Sequence, residues 1–260
     1  WSSQSVYGVN MNRGLPEPST AAYRVGANQT DSRVQLNNSI GYSKRNYSLE
    51  TRQSVFYSNQ SYTNAISDVL DTNYSNGSSL ELINIWKWGK FSLANQSQVQ
   101  YFGISGQNKP DTGITSISNL TSLKHHISKT QYISIYNKSS YQDLINGVGG
   151  SSPGIQFFSE YKKRELDIHL KRIFRLPTMN DLFWSPGGNP NLIPESGWDL
   201  KASFSLQNKY NIFKFEAFAG RLNNGIIWRP NGLFWQPINE FLITRYGINS
   251  SWQVIWPSQF

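Results

Sequence analysis

The feature that most constrains this chain is a period of two that runs for a dozen residues at a time. In Ser196 to Gln207, Trp198, Leu200, Ala202, Phe204 and Leu206 share one face, while Asp199, Lys201, Ser203 and Ser205 share the other. Glu165 to Lys171 repeats the pattern, with Leu166, Ile168 and Leu170 opposite Asp167, His169 and Lys171. Tyr47 to Tyr57 sets Leu49, Val55 and Tyr57 against Glu50, Arg52 and Ser54. Successive side chains of a strand point to opposite faces, so each segment reads as a strand with one apolar and one polar side. No segment shows helical spacing.

Connections alternate in length as well. Short basic or Asn-containing turns are predicted near Lys44–Asn46, Trp88–Gly89, His125–Ser128, Lys162–Arg164 and Asn208–Tyr210. Longer connections are predicted over Met11–Thr30, Asn59–Ser75, Gly103–Thr112, Gln142–Ser152, Leu176–Glu195 and Asn223–Asn239. Strands of roughly 10 to 13 residues, joined by short turns at one end and long loops at the other, define a transmembrane β-barrel, whose tilted strands need about 9–11 residues in lipid. A soluble sandwich has shorter strands, and a solenoid needs a fixed short repeat that is absent here. The expected fold is all-β, an antiparallel up-and-down transmembrane barrel with long extracellular loops and short periplasmic turns.

Composition agrees. Charged residues are 15% of the 260, against about a quarter in soluble globules. Aromatics reach 14%, which excludes a disordered chain. The net charge of +8 raises nucleic-acid binding, but the Lys and Arg are dispersed; the one tight cluster is Lys162–Arg164, and no nucleic-acid motif accompanies it. There is no cysteine, so no disulfide framework or thiolate metal site. His125 and His126 are adjacent and point to opposite faces of a strand, and His169 falls on a polar face. No nucleophile elbow, phosphate loop or catalytic carboxylate pair is present. Neither an enzyme nor a bound cofactor or metal is expected.

One segment breaks the alternation and carries a family resemblance: "FRLPTMNDLFWSPGGNPNLIPESGWDL", Phe174 to Leu200. It resembles a hallmark of TonB-dependent outer-membrane receptors, in which a strand ending in Phe-Arg-x-Pro-Thr enters an extracellular loop and Gly-Asn-Pro-x-Leu-x-Pro-Glu opens the next strand. Phe174, Arg175, Pro177, Thr178, Asp181, Leu182, Trp184, Gly188, Asn189, Pro190, Leu192, Pro194 and Glu195 stand in that order. "IIWRPNGLFWQPIN" (Ile226–Asn239) is similar to the following loop, and "NRGLPEP" (Asn12–Pro18) with "NQTDSRVQLNNS" to an early loop of the cobalamin-receptor-like branch.

The resemblance implies a nutrient uptake receptor in the bacterial outer membrane, importing a siderophore, cobalamin or glycan. Its partners would be outer-membrane lipid, a plug domain, the TonB complex acting through that plug, and a small-molecule ligand. Residues 1–260 would form a partial barrel of about a dozen strands, where plugged transporters have about 22, with the plug and the C-terminal strands absent. Such a sheet has two open edges and is not expected to transport alone. Trp184, Trp228, Arg229 and Trp235 are the candidate ligand contacts, with an aromatic girdle or loop packing as the competing role. Arg175 and Glu195 bracket the loop and can pair structurally. A passive porin-like channel and a soluble carbohydrate-binding β protein are the alternatives.

Overall fold

The computed structural model of the chain describes residues 1–16, 25–64, 69–106, 109–143, 147–184, 187–232 and 234–254. Glu17–Pro18 of the early loop, Asp68, Pro186, Pro257 and Phe260 lie outside the described residues.

The described residues form one 12-stranded sheet in which every strand pairs antiparallel with its sequence neighbours. The strands are β1 (Ser2–Pro16), β2 (Val25–Lys44), β3 (Tyr47–Asn64), β4 (Val69–Trp88), β5 (Phe91–Gly106) and β6 (Lys109–His126). They continue with β7 (Gln131–Gln142), β8 (Val148–Tyr161), β9 (Arg164–Arg175), β10 (Glu195–Gln207), β11 (Asn211–Asn231) and β12 (Phe234–Val254). Among the described residues one short helix, α1 (Met179–Phe183), sits between β9 and β10. The sheet is open, with β1 and β12 as its edges. This is the up-and-down order expected from the alternation.

Register sorts the side chains. Leu200 pairs across the ladder with Leu170 and Ala219, Phe204 with Leu166 and Phe215, and Ala202 with Ile168 and Ala217. These positions form an apolar outer face on which Ile155, Ile168, Leu170, Leu200, Phe215 and Ile248 stand exposed. On the inner face, Arg245 reaches Asp199 at 2.7 Å, Lys201 pairs with Glu216, and Arg52 bridges Glu50 (2.6 Å) and Glu81 (3.2 Å). Apolar residues stand outside and paired charges inside, the reverse of a soluble globule. His126 lies on the inner face beside Tyr132, whereas His125 stacks on Phe91 outside, with ring centroids 4.6 Å apart.

Aromatic rings mark two levels on the outer face. Tyr47, Trp86, Trp88 and Phe91 gather near the short turns, with Tyr47 and Trp86 5.6 Å apart and Trp88 stacked on Phe91 at 6.3 Å. Tyr57, Tyr101, Tyr141, Trp198 and Tyr246 mark the other level. Phe91 and Tyr101 are ten residues apart on β5. At ~3.3 Å per residue, tilted about 40°, this rises ~25 Å, the height of the apolar band of an outer-membrane barrel. Midway up this band, four outward side chains on β5 and β6 close a hydrogen-bonded ring. Asn95 donates to Thr121 (2.9 Å), Thr121 to Asn119 (2.9 Å), Asn119 to Ser97 (2.8 Å) and Ser97 to Asn95 (3.2 Å). Each member donates once and accepts once, so polar groups on a lipid-facing surface still find partners.

Element boundaries differ from the sequence reading in one respect. Much of Met11–Thr30, Asn59–Ser75, Gly103–Thr112, Gln142–Ser152 and Asn223–Asn239 is paired ladder, carried to Pro16–Val25, Asn64–Val69, Gly106–Lys109, Gln142–Val148 and Asn231–Phe234. Above the upper girdle no lipid demands an apolar face, so alternation fades while backbone pairing continues. Among the described residues, only Leu176–Pro194, which carries α1, stays a long connection outside the ladder. Lys162 and Lys163 form a two-residue hairpin turn with φ of 45° and 64°, which puts the basic run at an exposed tip between β8 and β9.

The outer face carries a checkable consequence. Phe204→Arg places a charge near the middle of the apolar band and should destabilise the protein in lipid by about 2–4 kcal/mol. The companion change Ser203→Arg, on the inner face, should cost far less. Urea unfolding in vesicles measures both, and equal costs would contradict the assignment of faces.

Candidate functional site

The connection between β9 and β10 folds inward over the mouth of the sheet. Its start follows from local chemistry. Pro177 lacks a donor and Thr178 is extended (φ −83°, ψ 164°), so the chain leaves the β9 ladder there. Thr178 caps α1: Asp181 N donates to Thr178 Oγ1 at 3.2 Å, and Thr178 N donates to Asp181 Oδ2 at 2.9 Å. This reciprocal capping box starts a single helical turn.

Two nearly buried carboxylates tie the loop to the wall. Glu195, 6% exposed at the start of β10, receives Arg175 Nε at 2.5 Å and Nη2 at 2.9 Å, a bidentate fork. It also receives the backbone N–H of Ile226 on β11 at 2.5 Å. Asp181, also 6% exposed, receives Thr178 Oγ1 at 2.8 Å, Arg175 Nη1 at 3.4 Å and Trp228 Nε1 at 3.2 Å. The Arg175 guanidinium is held charged more firmly than a free arginine, above all by its hydrogen bonds to Glu195. Burial opposes this, and the charges of Glu195 and Asp181 add to it. One cation and two anions thereby fasten β9, α1, β10 and β11 together.

The rest of the loop is held by amides and by a small core. Asn239 on β12 accepts from Ile193 N at 3.0 Å and donates to Ile193 O at 2.9 Å and Asn224 O at 2.8 Å. Asn189 donates to the Pro237 carbonyl at 3.1 Å. Gly187 packs directly against the Trp235 carbonyl, where a β-carbon would have no room. Met179, Leu182 and Leu192 bury themselves against Ile104 on β5 and Ile114 on β6, with Phe102, Phe183 and Ile226 around them. Trp184 meets Tyr62 of β3 edge-on at 6.1 Å. The loop thus starts from β9, crosses the inner surface and touches strands on the far side of the curved sheet.

Of the four candidate contacts, three collect here. Trp184 ends α1, Trp228 faces inward onto Asp181, and Trp235 flanks Gly187. Arg229 does not join them: it lies on the opposite face of β11 and pairs with Glu240. Asn239, Tyr62, Ile104 and Ile114 had no mark in the sequence, because nothing local announces that a loop 46 to 122 residues away in the chain will rest on them. The Arg175–Glu195 pair did have one, since the two residues bracket the loop.

A sheet of long antiparallel strands, apolar outside and charged inside, with a loop folded over its mouth, defines the wall of a transmembrane β-barrel. Comparison with solved structures makes the class specific: the fold is that of TonB-dependent outer-membrane receptor barrels. The chain matches the FrpB iron transporter from Neisseria meningitidis with a TM-score of 0.74 at 8% identity, over 98% of this chain and 48% of that one. It matches the copper transporter OprC with a TM-score of 0.71 at 12% identity, over 88% of this chain and 45% of that one. Among curated proteins, the vitamin B12 transporter BtuB of Photobacterium profundum is 31% identical over 71 residues, 25% of this chain and 12% of that protein. The chain therefore spans about half of the solved barrels, and its curated match covers about an eighth of the relative. No family model matches.

The clamp makes a direct prediction. Glu195→Ala removes a buried carboxylate with its three hydrogen bonds and leaves Arg175 with only the longer contact to Asp181. Each charge-assisted bond is worth about 1.5–3 kcal/mol, discounted here because Arg175 is partly exposed, so loop docking should weaken by roughly 2–4 kcal/mol. Limited proteolysis within 176–194 should become much faster. Adding Arg175→Ala should cost little more, because the two side chains act as one unit.

Proposed function

We propose that residues 1–260 form the central part of the barrel of a TonB-dependent nutrient receptor in the bacterial outer membrane. The plug domain and further strands would be supplied by the rest of that protein. The carrying observation is the inward loop. Its motif residues Arg175, Thr178, Asp181 and Glu195 are consumed in fastening it across the mouth, which leaves an aromatic surface above the lumen. A passive pore gains nothing from such a surface, whereas a receptor that captures a scarce ligand before moving it does.

In this reading Trp184, Trp228 and Trp235 offer ring faces to a planar or saccharide-like ligand at the vestibule, while Arg229, on the outer face, stays with Glu240 and takes no part. The ligand is a small-molecule nutrient: the short match to a vitamin B12 transporter and the fold likeness to iron and copper transporters support a metal chelate or corrinoid. Energy would come from TonB acting on the plug, and outer-membrane lipid would surround the wall.

The test is uptake by cells carrying the full-length protein. Growth on limiting cobalamin, on ferric siderophore or on copper should depend on the gene and on an intact TonB system. Trp184→Ala or Trp228→Ala should weaken ligand binding about tenfold or more, the ordinary cost of truncating a buried aromatic anchor. Uptake that persists without TonB would instead identify a passive channel.

A further inference from the structure

We propose that the outer surface of the wall carries a saccharide-binding groove at the upper girdle, on β3 to β6 and separate from the lumenal vestibule. It is a groove of about 330 Å³ bordered by Tyr57, Tyr74 and Tyr101, with Asn76 and Asp111 among its polar lining. By register Tyr57, Tyr74, Asn76 and Tyr101 belong to the outer face, and Asp111 stands at the register shift between the β5–β6 pairs Ile104–Thr112 and Gly106–Lys109.

A girdle accounts for three tyrosines but not for the shape beneath them. Gly103 and Gly113 are directly paired across β5 and β6, leaving a floor with no side chains of its own. Tyr101 lies across this floor: its hydroxyl sits 2.6 Å from where a Gly113 β-carbon would be and 3.0 Å from that of Gly103. The Asn76 amide oxygen lies 2.5 Å from the same Gly103 position. A larger residue at Gly113 would push the Tyr101 ring aside, and one at Gly103 would displace both the ring and the Asn76 amide. Tyr57 and Tyr74 stand beside it as a near-parallel pair, 6.4 Å between centroids and 26° between planes. Asp111 closes the end beyond the glycine pair.

Ring faces beside a carboxylate and an amide match a sugar. The C–H face of a pyranose packs on a tyrosine ring, and its vicinal hydroxyls donate to a carboxylate and exchange hydrogen bonds with an amide. An anionic phosphate is disfavoured, since Asp111 would face it with like charge. A quaternary ammonium would use the rings and the carboxylate but leave the amide without a role. The groove rises from the girdle to the level where lipid headgroups begin. The sugar could therefore come from a membrane glycolipid or from a free oligosaccharide at the surface.

This placement rests on the outer-membrane reading; the chemistry of the groove does not. The test is calorimetric titration of the full-length protein in detergent micelles with lactose, with tetramethylammonium and with inorganic phosphate. Lactose should bind saturably, Tyr74→Ala and Asp111→Ala should each weaken it about tenfold or more, and Tyr74→Phe should retain most of the affinity. Trp184→Ala, in the vestibule, should leave it unchanged. Stronger binding of a lactosyl lipid in mixed micelles than of free lactose assigns the groove to glycolipid; equal or weaker binding assigns it to soluble glycan. Absence of saturable lactose binding overturns the proposal, as does binding insensitive to both alanine changes. Preference for tetramethylammonium or phosphate overturns it too. Cell fractionation, read separately, decides the outer-membrane location.

Discussion

Hydrocarbon offers no hydrogen bonds, and every backbone N–H and C=O placed in it must find a partner within the protein. That requirement governs the molecule. It explains why every strand pairs with both sequence neighbours wherever neighbours exist, and why the ladders run without interruption through the apolar band. It also explains the closed ring of Asn95, Ser97, Asn119 and Thr121. Polar side chains are tolerated on that surface when they satisfy one another. The two edge strands, β1 and β12, are where the requirement is still unmet by the described residues.

Above the band, water lifts the constraint and different forces take over. The loop after β9 is held by directed electrostatics rather than by a ladder, because its prolines at 177, 190 and 194 cannot donate. Arg175 suits the role because its planar fork holds Glu195 bidentately while a third nitrogen reaches Asp181. A lysine in its place would offer a single point of charge. The apolar side of the same loop finds its partners on β5 and β6, so a polar knot and a small core grip it from two directions.

What the sequence disclosed follows from the same physics. The strands of the band were legible because lipid on one side and lumen on the other enforce alternation; Trp198 to Leu206 is the clearest case. The upper ends of β3, β5 and β11 were not legible, since past the girdle both faces meet water and alternation carries no cost. Around the loop, the Arg175–Glu195 pairing was readable from its bracketing positions. The separation of Arg229 from the three tryptophans was not, because one step along β11 exchanges inner for outer face and the loop tip gives no anchor for counting. Tyr62 beneath Trp184 was out of reach, because no local pattern encodes a contact across the curved sheet.

The pairing of Gly103 with Gly113, and the parity that puts Tyr101 over them, point to how such walls diverge. Away from such a packed pair, a position in the band needs only the right side of the sheet and a side chain of the right polarity; identity is nearly free. Substitutions that respect parity accumulate without penalty, whereas a one-residue insertion inverts every face downstream and is eliminated. Walls of this kind should therefore tolerate change in sequence while their shape stays fixed. Identity is held more tightly in the loop, where Arg175, Asp181 and Glu195 each have several partners at once and a change in one leaves the others unsatisfied.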